Sequence, residues 1–235
     1  MPLAAELSAS PDFAFDPQGR LTGRPAQDIA HPVFTGQCAG SVRMSRDTTG
    51  DWYAVWWSIR ADSTADIVVS RSTDGVVWSP PIRVDSTDVG HIGCRRPPPS
   101  IAADAGNVHV AYAMAAREGP GIFASHSMDR GMMFHTPVAV VYGERPGGGL
   151  TAIDARGDHV AVAYDDPNSA PPRVGLALSR SMAHLFEWRG TVSPQTGPAR
   201  APGVALGDGR IAVTWAGGGA NDASAPRAVR LGVLR

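Results

Sequence analysis

One octapeptide constrains the fold of this chain more than any other feature. Ser127-Met128-Asp129-Arg130-Gly131-Met132-Met133-Phe134 has the form Ser-x-Asp-x-Gly-x-x-aromatic. A copy shorter by one residue is Ser72-Thr73-Asp74-Gly75-Val76-Val77-Trp78. A third, eroded copy reads Ser181-Met182-Ala183-His184-Leu185-Phe186-Glu187-Trp188, with Ala183 and Leu185 where Asp and Gly should stand. The three serines are 55 and 54 residues apart, and self-similarity at such a period is the mark of a repeat architecture. Short Ser and Asp side chains accept hydrogen bonds from nearby backbone N–H groups and stabilise a turn. Glycine supplies the positive φ of a tight hairpin, and the closing ring can pin the turn to a neighbouring sheet. Each copy therefore reads as a self-capped turn between antiparallel strands. In the third, the aromatic anchor Trp188 should survive while the capping is lost.

The segments between these turns repeat as well. Four strongly alternating stretches, 52–57, 108–112, 159–164 and 210–215, carry β-branched residues and close on Trp56, Tyr112, Tyr164 and Trp215, a pattern of half-buried strands. A shorter strand precedes each, near 41–45, 100–103, 151–153 and 204–206. A third strand follows each, at 67–70, 122–125, 175–178 and 231–234. Fourth strands follow the turns at 82–84, 138–141 and 190–192. The last unit has no fourth strand, while residues 28–34 at the other end resemble one without a home. Circular closure solves both. The expected fold is all-β: a four-bladed β-propeller of four-stranded antiparallel blades, closed by the N-terminal strand completing the last blade. Residues 1–26 form an N-terminal extension and 27–235 a single propeller domain.

Composition excludes several classes. Gly 27 and Pro 20 among 235 residues favour turns over long helices. The net charge of −1 gives no global attraction to nucleic acid or an anionic membrane, and no apolar run reaches membrane-span length. All the basic residues are Arg, read as genomic bias. The first residues lack the basic and apolar regions of a secretory signal. A periplasmic or secreted mature form is the expected setting, with a cytoplasmic protein as the alternative.

The motif resembles the Asp-box, or BNR repeat, and over residues 28–235 the chain resembles the Asp-box β-propellers, a family that includes sialidases. The resemblance implies that Ser72, Asp74, Gly75, Trp78, Ser127, Asp129, Gly131, Phe134, Ser181 and Trp188 are structural and lie away from the ligand site. Sialidases share an Arg triad, an Arg-Ile-Pro, an Asp acid/base and a Tyr–Glu nucleophile pair. Here Ser41-Val42-Arg43-Met44 keeps the Arg but not the Pro, and Tyr142-Gly143-Glu144 matches only by residue type. Sialidases usually have six blades.

Arginine recurs where the chain leads into the first strands. Arg43, Arg96, Arg145 and Arg200 could line an axial pocket and bind a carboxylate, sulfate or phosphate through charge-assisted forks. The bland alternative is pairing with acids or solvent. The first function expected is thus a ligand-binding or scaffold propeller for a small anionic or carbohydrate ligand, without cofactor. A sialidase-like glycoside hydrolase is the second; it needs a paired acid/base and nucleophile that the sequence does not assemble. A third is a periplasmic metal-binding protein using Cys38, His91 and Cys94, with His31 or Met44 as further donors. Cys38 and Cys94 also suit a disulfide between neighbouring first strands; two free thiols is the remaining case. His109 and His159 read as packed strand residues, His126 and His135 as surface, and Met128, Met132 and Met133 as packing residues. Gly147-Gly148-Gly149 and Gly217-Gly218-Gly219 lack a following helix and read as loops.

Overall fold

The computed structural model describes residues 14–15, 21–22, 38–143, 149–207, 209–217 and 227–233. The chain divides into two compact units, Met1–Pro32 and Val33–Arg235. In the first, β1 (Ala14–Phe15) pairs antiparallel with β2 (Leu21–Thr22). The second unit is built of antiparallel sheets. Sheet I holds β3 (Arg43–Arg46), β4 (Trp52–Ile59), β5 (Ala65–Ser72) and β6 (Ile82–Asp85) in that order. Sheet II holds β7 (Ser100–Asp104), β8 (Asn107–Ala116), β9 (Gly119–Ser127) and β10 (Val138–Tyr142). Sheet III holds β11 (Thr151–Arg156), β12 (His159–Asp165), β13 (Val174–Ser179) and β14 (Trp188–Thr191). Sheet IV holds β15 (Ala199–Gly207), β16 (Arg210–Gly217) and β17 (Arg227–Val233). Among the described residues no helix is long and apolar enough to cross a membrane.

The sheets stack face to face because alternate residues of each second strand serve different neighbours. In β4, Tyr53, Val55 and Trp57 join Val108, Val110, Tyr112 and Met114 of β8 in one core. The opposite face of sheet II offers Ala102, Ala111, Ala113 and Ala124, and against these small residues pack Val160, Val162 and Tyr164 of β12. The next face repeats the device: Ala161 and Ala163 receive Ile211, Val213 and Trp215 of β16. At these two junctions large side chains from one sheet thus fill the shallow alanine face of the one before it, which lets the sheets approach closely. The first strands contact in series, β3 with β7, β7 with β11 and β11 with β15. The other face of sheet I buries Ala54, Trp56 and Val68 against Val42 and Trp78 of its own blade. Residues 28–34, expected to close the ring, lie outside the described residues.

Aspartates at the far ends of the first strands tie consecutive sheets. Asp47 Oδ2 accepts from Gly106 N at 2.8 Å, Asp104 Oδ2 from Gly157 N at 2.8 Å, and Asp154 Oδ2 from Leu206 N at 2.6 Å. A carboxylate accepting a backbone N–H makes a stronger bond than a neutral pair. The same bond thus recurs at each of the three successive junctions.

The repeated turns are capped as their chemistry predicts. Ser72 Oγ accepts from Gly75 N at 2.9 Å, and Asp74 Oδ1 accepts from Val76 N and Val77 N, both at 2.8 Å. Ser127 Oγ accepts from Gly131 N at 2.9 Å, and Asp129 Oδ1 from Met132 N and Met133 N at 3.1 and 3.0 Å. The Ser127 hydroxyl and those backbone N–H groups hold the Asp129 carboxyl below its ordinary range. Gly75 and Gly131 sit at φ +76° and +78°, where a Cβ would be strained.

The third turn differs from expectation in register. β5 and β9 end on Ser72 and Ser127, whereas β13 ends on Ser179. Ser179 Oγ accepts from Ser181 N at 3.1 Å and from Ala183 N at 3.0 Å. Ser181 therefore occupies the Asp position, and Ala183, at φ +66°, the Gly position. Phe186 is the anchor, 1% exposed, while Trp188 opens β14 and is 46% exposed. The hydroxyl cap survives and the ring changes. A two-residue slip in the motif had hidden both.

Candidate functional site

The first residues of β3, β7, β11 and β15, with the segments leading into them, border a cavity of about 320 Å3. Arg43 and Met44 come from β3, and Ser100 and Ile101 with the preceding Pro98 and Pro99 from β7. The proline pair cannot donate backbone hydrogen bonds and holds the chain extended. Ser100 Oγ and Thr151 Oγ1 lie 3.0 Å apart, and Thr151 Oγ1 donates to Ala111 O at 3.0 Å, joining β7 to β11 at the rim. Arg43 is exposed, and its Nη1 donates to Val42 O at 2.7 Å and Gly40 O at 3.3 Å. Its Nε and Nη2 donors have no partner among the described residues. None of the described lining residues is a carboxylate.

A smaller cleft of about 70 Å3 lies beside it, lined by Asp165, Asp166, Arg173 and Arg200 among others. Asp165 ends β12 and is 8% exposed. Its Oδ1 accepts from Ala201 N at 3.0 Å and its Oδ2 from Leu150 N at 3.2 Å. Leu150 and Ala201 both line the larger cavity, so Asp165 fixes two of its wall segments from behind. Burial pushes the Asp165 carboxyl up to about 6, against the opposing pull of those N–H bonds and of Arg200. Arg173 is committed to the carbonyls of Gly197 and Gln195.

The four arginines singled out from the sequence do not share one place. Arg43 lines the large cavity and Arg200 the small cleft. Arg96 is 7% exposed. Its Nη2 pairs with Asp88 Oδ2 at 2.5 Å, it donates to the carbonyls of Gly90 and Gly93, and its guanidinium lies 5.4 Å from the Trp57 ring centre. It is a buried structural cation, the bland alternative realised. Asp88 also accepts from Ala65 N at 2.8 Å, so the pair ties β5 to the segment before β7. Arg145, Glu144 and His31 lie outside the described residues, while Tyr142 is 51% exposed.

Cys38 and Cys94 form a disulfide with a Cα–Cα separation of 5.1 Å. This corrects the expected metal alternative, because neither sulfur is left as a thiolate. His91 is exposed and its ring Nδ1 lies 2.7 Å from Asp62 O. The imidazoles that do converge are others. His126, placed on the surface by sequence, is 1% exposed, because it projects from β9 into the junction with sheet III. There it meets His135 and His184, and one nitrogen from each of the three rings lies within 4.8 Å of the others. Burial first, and then the neighbouring imidazoles His184 and His135, push His126 down to about 4. His109, fully buried beside it, is pushed down to about 3, again by burial first.

No family model and no curated protein matches the sequence. Solved structures do. The Hadza microbial sialidase Hz136 aligns with TM-score 0.57 at 19% identity, over 82% of this chain and 44% of that one. The Penicillium chrysogenum α-L-arabinanase, solved with arabinobiose, aligns with TM-score 0.56 at 16% identity, over 83% of this chain and 64% of its own. The Trypanosoma rangeli sialidase aligns with TM-score 0.54 at 12% identity, over 93% of this chain and 37% of its own. The chain thus spans less than two thirds of the length of each. At such identities the likeness concerns architecture alone: the chain has a propeller-like all-β fold similar to those of these sialidase and arabinanase structures.

Proposed function

We propose that the chain is a carbohydrate-binding propeller whose central cavity takes a small sugar or sugar acid, with Arg43 as the anion-recognising group. The observation that carries this reading is the cavity at the converging starts of β3, β7, β11 and β15, lined by one cation, by hydroxyls and by no described carboxylate. Its volume is at the lower end of small-molecule sites, roughly 300–1,000 Å3. Glycoside hydrolysis by the usual route needs two carboxyl groups facing the scissile bond. The Asp165 carboxyl behind the cavity wall accepts from the backbone N–H groups of Leu150 and Ala201, which favours binding over turnover. The disulfide supports a periplasmic or secreted setting, where such bonds persist.

Calorimetric titration of the chain with sialic acid, uronic acids and arabino-oligosaccharides tests the proposal. A ligand that binds and loses about 10- to 100-fold in affinity on Arg43→Ala, the cost of a charged hydrogen bond, supports it. Turnover of a fluorogenic sialoside or arabinoside, or affinity indifferent to Arg43→Ala, overturns it.

A further inference from the structure

Three histidines from two sheets meet at one point, on elements that the central cavity does not use. His126 lies in β9, and His135 follows the second capped turn. The backbone N–H of His135 donates to His126 O at 2.8 Å, and Ser125 Oγ donates to His135 O at 2.7 Å. These bonds set the His126 and His135 rings parallel, with centres 4.4 Å apart and planes 7° apart. His184 sits in the third capped turn, of sheet III, where its N–H donates to Ser181 O at 3.0 Å. Its ring meets His126 edge-on, with centres 4.2 Å apart. The Nε2 atoms of His126 and His184 face each other at 3.3 Å.

That separation is informative. Two imidazoles bound to one tetrahedral zinc ion, with Zn–N near 2.0–2.1 Å, hold their nitrogens about 3.3 Å apart, and without an ion the same distance is a hydrogen bond between the two rings. We propose that His126, His135 and His184 form a binding site for a divalent first-row metal ion, zinc above all, which clasps sheet II to sheet III. Three neutral imidazoles suit zinc, copper or nickel better than the hard alkaline-earth ions. His126 is fixed within a strand. His135 is half-buried and His184 exposed, and binding requires the His135 ring to turn out of its parallel stack on His126, because stacked rings cannot both aim a nitrogen lone pair at one ion. The exposed side, at His184, leaves a fourth position for water or a partner's donor, as three-ligand zinc sites do. His109 stacks behind His126 with ring centres 6.0 Å apart, and neither of its nitrogens has a hydrogen-bond partner among the described residues. It backs the site as an uncharged ring.

The test is titration of the metal-stripped, tag-free full chain with Zn2+ by calorimetry, with Co2+ absorption as a second reading. One ion per chain is expected, together with a rise in melting temperature, since an ion that binds only the folded form stabilises it. His184→Ala carries the test, because that side chain is exposed and its loss leaves the core intact. It should weaken binding by more than the 10- to 100-fold typical of losing an outer-shell partner, and His135→Ala should do the same. His91→Ala, at a distant exposed histidine, should change nothing. Tetrahedral Co2+ bands should vanish with His184→Ala. Absence of stoichiometric binding, or binding equal in wild type, His184→Ala and His135→Ala, overturns the proposal. Neither result depends on the central cavity, so sugar binding can fail while this site stands.

Discussion

The Cys38–Cys94 bond should contribute more to stability than any other single pairing in the chain, and it should act through the unfolded state. It closes a loop with a sequence separation of 56 residues. A loop of that length, closed in the unfolded chain, loses entropy worth about 4 kcal/mol at 25 °C in the chain-entropy account. The native structure has little need of the crosslink beyond that. Cys94 is exposed, and Cys38 O already accepts from Ser41 N and Ser41 Oγ, both at 2.8 Å. Trp57 N donates to Ser41 Oγ at 3.1 Å and Trp57 Nε1 to Pro97 O at 2.7 Å, which ties both cysteine-bearing segments to β4 independently of sulfur. The double variant Cys38→Ser/Cys94→Ser should therefore fold, yet lose about 4 kcal/mol in urea unfolding, with a larger m-value because its unfolded chain exposes more surface. Its melting temperature should fall by about 8–16 °C, at 2–4 °C per kcal/mol for a chain of this size. Wild type in reductant should reproduce the variant. A loss below about 1 kcal/mol, or an unchanged m-value, would refute an unfolded-state origin.

Two further predictions concern the third turn and Asp165. Ser179→Ala leaves two backbone donors without their acceptor and should cost about 1–3 kcal/mol, whereas Ser181→Ala should stay within about 0.5 kcal/mol. Phe186→Ala should cost about 3–5 kcal/mol, far more than Trp188→Ala; urea midpoints in the reverse order would restore the register expected from sequence. For Asp165, the folded value near 6 exceeds the ordinary 3.8, so between those values the folded chain binds more protons than the unfolded one. Its contribution to stability is present in full below pH 4 and is lost as pH rises to 6, by up to about 3 kcal/mol. Asp47, Asp74 and Asp129 are held below their ordinary values and slope the opposite way. The difference between wild type and Asp165→Asn across pH 4–7 therefore isolates Asp165, and parallel profiles would sink this account.

Sequence by itself determined the strands of sheets I to IV and the two turns that keep Ser, Asp and Gly. Alternation of residues is a local property, so β4, β8, β12 and β16 were legible from Trp52, Val108, His159 and Arg210 onward. Ser-x-Asp-x-Gly is likewise self-contained, its donors and acceptors lying within five residues. The eroded turn failed because Ser179 with Phe186 and Ser181 with Trp188 both supply the Ser and the ring seven residues on, and only the end of β13 decides between them. The pairing of Cys38 with Cys94 stayed open because a disulfide and a metal site need the same residues. The fate of the arginines was decided by tertiary structure alone: a guanidinium is a ligand group or a buried tie according to whether a carboxylate such as Asp88 stands beside it. So too for the histidines, where His126 and His135 are near in sequence but His184 arrives from the next sheet, 58 residues beyond His126. Contacts between sheets depend on which faces stack, and no local pattern encodes that.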